Sequence, residues 1–415
     1  MEFIWLILRE LGRVLVTTLT SPSFLFIYLL LFGLVTLQYR RLQTMSEPLL
    51  QGRRNIFWRS ALVSTLAGLL GGVLGSILLV LLGVELTGIA IGHLWLLAIL
   101  LMLIKPRFIC FAYAAGLLSI SNLLFAYPSI NIPQLMGLVG VLHLIESLLI
   151  LINGSYSPLP VYIKKAGGLR GGFNLQQFWP IPLAALITVG MIEPLGAITS
   201  PDWWPLLQGY TDFTESHTYV LVPVLAILGY GEISTTRTPR QAVRKSSLHL
   251  LVFSVGLLIL SVLASYHSFF LPLVALFSPI GHEFVIWLGM RAETRAPIYV
   301  QSERGVMILD VLPGSAAYRY GLRSKDVIIT VNGQEVVQYV AIQQLVNNGG
   351  KTSVLKILRG AKLLTCRIPI KGDQDLGIIP VPEHDSVAYL SVSEDSFFTM
   401  AIRLGRRIRN KMFTS

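Results

Sequence analysis

The chain has 415 residues, of which 53% are hydrophobic and only 13% charged, with a formal charge of +11. So little charge on so long a chain excludes an ordinary soluble globular protein. The positive excess sits in short connections between apolar runs, where it reports membrane topology and not nucleic-acid binding. The two cysteines, Cys110 and Cys366, fall in different regions and form neither a disulfide framework nor a metal-ligand pattern, so no role and no cofactor is assigned to them.

Residues 1–21 are apolar but carry Arg9, Glu10 and Arg13, which predicts an interfacial N-terminal helix; no basic leader or small-residue cleavage site marks a signal peptide. From 22 to 290, apolar runs long enough to cross a hydrocarbon core of about 30 Å recur. They predict a polytopic α-helical membrane domain of about nine spans, at 22–39, 60–83, 88–104, 108–126, 133–152, 180–199, 218–233, 248–267 and 271–289. Alternate connections are basic: Arg40, Arg41, Arg53, Arg54 and Arg59, then Lys105 and Arg107, then Lys164, Lys165 and Arg170, then Arg237, Arg240, Arg244 and Lys245. The intervening ones carry Glu85, or Asp202, Asp212 and Glu215. Basic loops face the cytoplasm, so everything after residue 290 is expected there. The paired Trp203 and Trp204 suit a headgroup-level aromatic belt.

Ionisable groups within spans are functional candidates by default. His143 and Glu146, three apart on one helix face, read either as a proton or ion relay or as groups bonded across the bundle; His93 and Glu193 are further candidates. His282-Glu283 resembles the start of the zinc-protease motif, but the second histidine of that motif is replaced by Ile286, so no metal site is expected. Gly71, Gly72 and Gly75 lack a following lysine and are expected to serve helix packing.

A small soluble module follows, with expected limits of 297–372. It alternates strand-like around Val306–Val311, turns at Pro313-Gly314, and continues through Gly321-Leu322, Asp326-Val327-Ile328 and Val331-Asn332-Gly333. These residues resemble a PDZ domain of the bacterial type, which implies a small α+β fold with a partly open β-barrel. The resemblance assigns Arg304, Gly305, Val306, Met307 and Ile308 to the carboxylate-binding loop and the strand whose open edge receives a peptide. Ile342, Leu345 and Val346, within the helix facing that edge, complete the expected apolar groove. A short added strand is expected to bind at about micromolar strength, roughly −8 kcal/mol. The extension 373–415 is expected to end in a basic amphipathic helix over 397–412. Arg403, Arg406, Arg407 and Lys411 would meet the anionic inner leaflet of the bilayer.

Many spans ending in one PDZ-like module, without a catalytic motif, resembles the MinJ family of Gram-positive bacteria. That resemblance implies a non-enzymatic scaffold in division-site placement at cell poles and septum, bridging DivIVA and MinD. Two other readings are a membrane peptidase, or a degenerate regulator of one, that captures substrates through the module, and a transporter using His143 and Glu146.

Overall fold

A computed structural model describes residues 2–50, 57–165, 168–189, 203–208, 218–370 and 375–383. The basic helix expected over 397–412, with Arg403, Arg406, Arg407 and Lys411, lies outside the described residues, as do Arg53, Arg54, Glu193, Asp202, Asp212 and Glu215.

The helices of the first part are α1 (Glu2–Thr20), α2 (Pro22–Leu50), α3 (Phe57–Leu82), α4 (Ile91–Ile104), α5 (Phe111–Phe125), α6 (Ile132–Asn153), α7 (Pro239–Tyr266) and α8 (Phe270–Ala292). Five of them, α2, α3, α6, α7 and α8, are long and apolar enough to cross a membrane. The expected spans at 88–104 and 108–126 shrink to α4 and α5, of 14 and 15 residues. At 1.5 Å per residue these reach only about 21–23 Å, short of a hydrocarbon core. α1 lays one stripe, Ile7, Leu11 and Leu15, against Val80, Ala184 and Leu186.

Two of the expected spans are not helices. Residues 180–189 belong to β2 (Gly168–Val189) and residues 218–233 to β3 (Thr218–Ser234), which pair antiparallel from Phe173↔Ser234 to Val189↔Thr218; β1 (Leu159–Lys165) pairs the start of β2. Length and apolarity had suggested helix, but a buried strand satisfies both equally. Pro223, inside the run 218–233, opposes helix because it removes an intrahelical hydrogen bond and clashes with the preceding turn, whereas Pro180 and Pro182 would be tolerated in a first turn and equally suit a strand edge that needs no N–H.

Beyond Asn174, β2 has lost β1, and its bare edge lies against α3. Such an edge is tolerable beside lipid only if protein satisfies it. Five of the alternate N–H positions on that edge, from Phe178 to Thr188, are either capped or absent. Phe178 N donates to the Tyr39 hydroxyl at 3.2 Å, Pro180 and Pro182 have no N–H, Ala184 N donates to Ser76 Oγ at 2.8 Å, and Thr188 N donates to Thr87 Oγ1 at 3.1 Å. Tyr28 donates to the Pro180 carbonyl at 3.2 Å, and Leu86 N to the Leu186 carbonyl at 2.8 Å. Small residues on α3 permit this approach. A Cβ on Gly68 would stand 2.3 Å from the Pro180 oxygen, one on Gly72 2.1 Å from the Pro182 oxygen and one on Gly75 2.8 Å from Leu183 Cδ2, while Gly71 faces Leu149 and Ile145 of α6. The glycines do serve packing, but three of these four pack helix on strand.

The C-terminal module contains β4 (Val306–Val311), α9 (Ala316–Arg319), β5 (Val327–Val331), β6 (Gln334–Glu335), α10 (Tyr339–Asn348), β7 (Thr352–Arg359), β8 (Lys362–Pro369) and β9 (Ile378–Pro380). Its sheet runs β8-β7-β5-β4-β9, with β6 paired to β5. Asp326, 1% exposed, holds β5 to β7 by accepting from Arg359 Nε and Nη2 at 2.7 Å each and from Arg323 N at 2.8 Å. The module is not hung on a free tether. Gly171 N donates to the Tyr299 carbonyl at 2.9 Å, Ile298 N to the Thr235 carbonyl at 3.0 Å, and Tyr299, Leu309 and Ile379 join the same apolar core as Phe173 and Trp179.

Candidate functional site

The groove of the module lies elsewhere than expected. β4 has no open edge, because β5 pairs one side of it at Val306↔Ile328 and β9 the other at Val311↔Ile378, with Val381 N donating to the Met307 carbonyl at 2.9 Å. Arg304 is an exposed turn residue. Gly305 is required for another reason: at φ +149° its Cβ would stand 2.2 Å from the Ile328 carbonyl oxygen, so it permits the close approach of β5. Val306 and Ile308 are buried in the module core, and Met307 packs toward the larger core shared with the helices.

The outer strand is instead β9, and a cleft of about 190 Å³ lies between α10 and the residues that lead into that strand. Ile342 and Val346 line this cleft as expected, together with Tyr339, Gln343 and Asn347 on the helix side and Asp375 and Leu376 on the strand side. Leu345 is half-buried on the module core and its carbonyl accepts from Asn332 Nδ2 at 3.0 Å. The strand-side wall is Asp375 and Leu376, and Gly377 follows them into β9. Gly377 has φ +76° and leaves no room for a Cβ, which would lie 2.2 Å from Ser315 Cβ. Leu312 N and Ala317 N donate to the Gly377 and Leu376 carbonyls at 2.9 and 3.0 Å, fixing the loop. A glycine between two apolar residues was the available signal in the sequence, but it lies C-terminal to the rest of the module.

The outward edge of β9 is short. Ile378 and Pro380 turn their carbonyls away from β4, where Tyr339 and Tyr162 donate to them at 3.1 and 2.8 Å. Burial, aided by nearby Asp375, pushes the Tyr339 hydroxyl pKa above the usual tyrosine range, and burial with Glu383 does the same for Tyr162, so both remain donors. Strand alternation turns the Ile378 N–H toward the cleft, while Pro380 has none to offer. The cleft therefore presents an N–H and an apolar floor at its loop end, and little backbone pairing beyond.

A PDZ-domain family profile matches residues 288–358. A PDZ domain is present. The match begins in the last turns of α8 and ends in β7, so the strand that flanks β4 in this PDZ domain comes from outside the matched stretch. A Synechocystis protein whose name describes it as a serine protease, HhoA, is 32% identical over 75 residues, 18% of this chain and 19% of that one. Proteins of Chlamydia trachomatis and Chlamydia muridarum named as DegP-like periplasmic serine endoproteases are 36% identical over 88 residues and 33% over 101, covering 21% and 24% of this chain and 16% and 19% of theirs. The chain spans less than a fifth of the length of each of these relatives.

Within the helical unit the structure gathers residues that were read separately. His143 Nε2 lies 3.1 Å and His282 Nε2 3.5 Å from Cys110 Sγ, and the three ligating atoms all fall within 4.8 Å of one another. The carboxylate of Glu283 is held apart from them, accepting from Tyr113 at 2.6 Å and pairing with Arg107 at 3.0 Å. His93, by contrast, sits exposed beside Tyr127 at 3.4 Å. Cys110, given no role from the sequence, stands at the centre of the cluster. Nothing in its sequence neighbourhood signals this, because its partners are 33 and 172 positions away.

Proposed function

We propose that the protein is a membrane-anchored, non-enzymatic adaptor whose PDZ domain holds segments of partner proteins in the cleft between α10 and the residues that lead into β9. The observation that carries this reading is the cleft itself, walled by Ile342, Val346 and Leu376, with the Gly377 turn next in the chain after Leu376. Backbone N–H groups at such a turn suit an anionic chain end, and the apolar floor suits its last side chain. The interrupted edge of β9 favours a short contact over a long added strand. The test is capture of a library of C-terminal peptides by the full chain in lipid nanodiscs. Gln343→Trp, which fills the cleft from a half-exposed position, should weaken capture at least tenfold; undiminished capture would sink the groove.

The cytoplasmic placement is part of the same reading. Replacing two expected helical spans by strands, or discounting the short pair α4 and α5, removes spans two at a time. Each count keeps the PDZ domain on the side of Arg40, Arg41, Lys164, Arg237 and Arg240. Resemblance to the MinJ family extends the proposal to division-site placement, with DivIVA and MinD as partners. A tagged protein spread uniformly over the membrane throughout the cell cycle would count against that role. The protease names of the relatives favour a second reading, in which the cleft presents substrates to a peptidase. Accumulation of a captured partner's cleavage products only when the full chain is present would support it.

A further inference from the structure

We propose that Cys110, His143 and His282 bind a zinc ion inside the helical unit, with Glu146 balancing its charge. The three residues come from different elements: Cys110 precedes α5, His143 lies in the middle of α6, and His282 lies in α8. Around tetrahedral zinc, with bonds of about 2.3 Å to sulfur and 2.0–2.1 Å to nitrogen, ligand atoms stand roughly 3.3–3.6 Å apart. The 3.1 and 3.5 Å separations from Cys110 Sγ to the two Nε2 atoms already approach that geometry.

Hydrogen-bond chemistry points the same way. His143 Nδ1 lies 2.8 Å from the Val139 carbonyl, which can only accept. Nδ1 therefore carries the hydrogen, and Nε2 aims a lone pair at Cys110, the arrangement that a backbone carbonyl imposes on metal-bound histidine. With His143 Nε2 taking the thiol hydrogen, the Sγ contact to His282 is satisfied only in the tautomer that places the His282 hydrogen on Nε2. His282 Nδ1 is buried with no hydrogen-bond partner among the described residues. A cation between the three atoms takes the two facing Nε2 lone pairs and the sulfur at once, and binding releases the thiol proton. Tyr113 and Phe253 wall the cluster edge-on to His282, at ring distances of 5.2 and 5.7 Å, and Phe253 also meets His143 at 5.5 Å. In such apolar surroundings a zinc thiolate keeps one uncompensated positive charge. Glu146, three residues from His143 and within electrostatic reach of Cys110, supplies the missing negative one.

The experiment uses the full chain in nanodiscs, with cobalt as a spectroscopic probe and zinc as competitor. One cobalt per chain should bind with a sulfur-to-metal charge-transfer band that zinc abolishes. Cys110→Ser should remove the band. His143→Asn and His282→Asn should each weaken zinc binding about 100-fold or more, and Glu146→Gln about tenfold. The unaltered chain gives a second readout that no variant can confound: zinc should protect Cys110 from alkylation and leave Cys366 as reactive as before. No charge-transfer band, cobalt uptake equal in the Cys110→Ser chain, or unaltered Cys110 alkylation would each overturn the site and leave an ordinary thiol–imidazole hydrogen bond. None of these outcomes depends on peptide capture by the PDZ domain.

Discussion

Asp326 shows how one side chain serves structure where its chemistry suggests function. An almost fully buried carboxylate in a binding module invites a catalytic reading, yet all of its acceptor capacity faces Arg359 and the Arg323 N–H. Arg359 is 32% exposed, and its pKa is raised chiefly by the hydrogen bonds to Asp326. Removing the cation leaves a buried charge with one backbone donor, which costs 3–5 kcal/mol in a dry site and less where water reaches the partner. Arg359→Met should therefore destabilise the PDZ domain by about 2 kcal/mol, read as faster amide exchange in β5 and β7. Unchanged exchange there would mean that water already compensates Asp326. Gly305 teaches the same lesson, since it answers to the Ile328 carbonyl and not to a ligand.

At the scale of elements, α3 and β2 depend on one another. The bare edge of β2 is quiet because two prolines delete donors and hydroxyls of Tyr39, Ser76 and Thr87 take the N–H groups of Phe178, Ala184 and Thr188. The Ser76 hydroxyl reaches the strand only while the glycines keep α3 close. Gly72→Ala should cost about 1–3 kcal/mol or more by forcing the two elements apart. Gly92→Ala, with nothing within 4 Å of the added Cβ, should be silent. Comparing their unfolding temperatures in detergent checks this, and equal values would contradict the contact. Ser76→Ala should lower stability by about 1–3 kcal/mol through the orphaned Ala184 N–H.

For the whole molecule the question is which side the PDZ domain occupies. Cys366 is half-buried in β8, well away from the membrane helices in sequence, and burial raises its thiol pKa even though Arg359 opposes the shift. An impermeant maleimide should label it only after the cell membrane is opened; labelling in intact cells would reverse the topology. Because the thiolate is the reacting species and an ordinary thiol titrates near 8.5, the labelling rate should still be climbing where that of an ordinary thiol has levelled off. A rate that levels off near pH 8.5 would mean that Cys366 is more exposed than the fold implies.

Several features needed only the amino-acid order. Composition and apolar run length mark segments apolar enough to cross a membrane; the Pro313-Gly314 turn and the alternation around it mark the PDZ domain; loop charge sets an expected orientation. These are local or additive properties, readable within a window of a few turns. Tertiary structure alone decided three others. It decided that residues 180–189 and 218–233 form strands, since a uniformly apolar run serves a buried strand or a buried helix equally well until its neighbours supply or withhold hydrogen-bond partners. It placed the candidate cleft beside Asp375 and Leu376 and not at Arg304–Ile308, because which strand lies outermost depends on pairing between segments about 70 residues apart. It also brought Cys110 to His143 and His282, a meeting made by helix packing across the unit, for which no spacing rule in the chain exists.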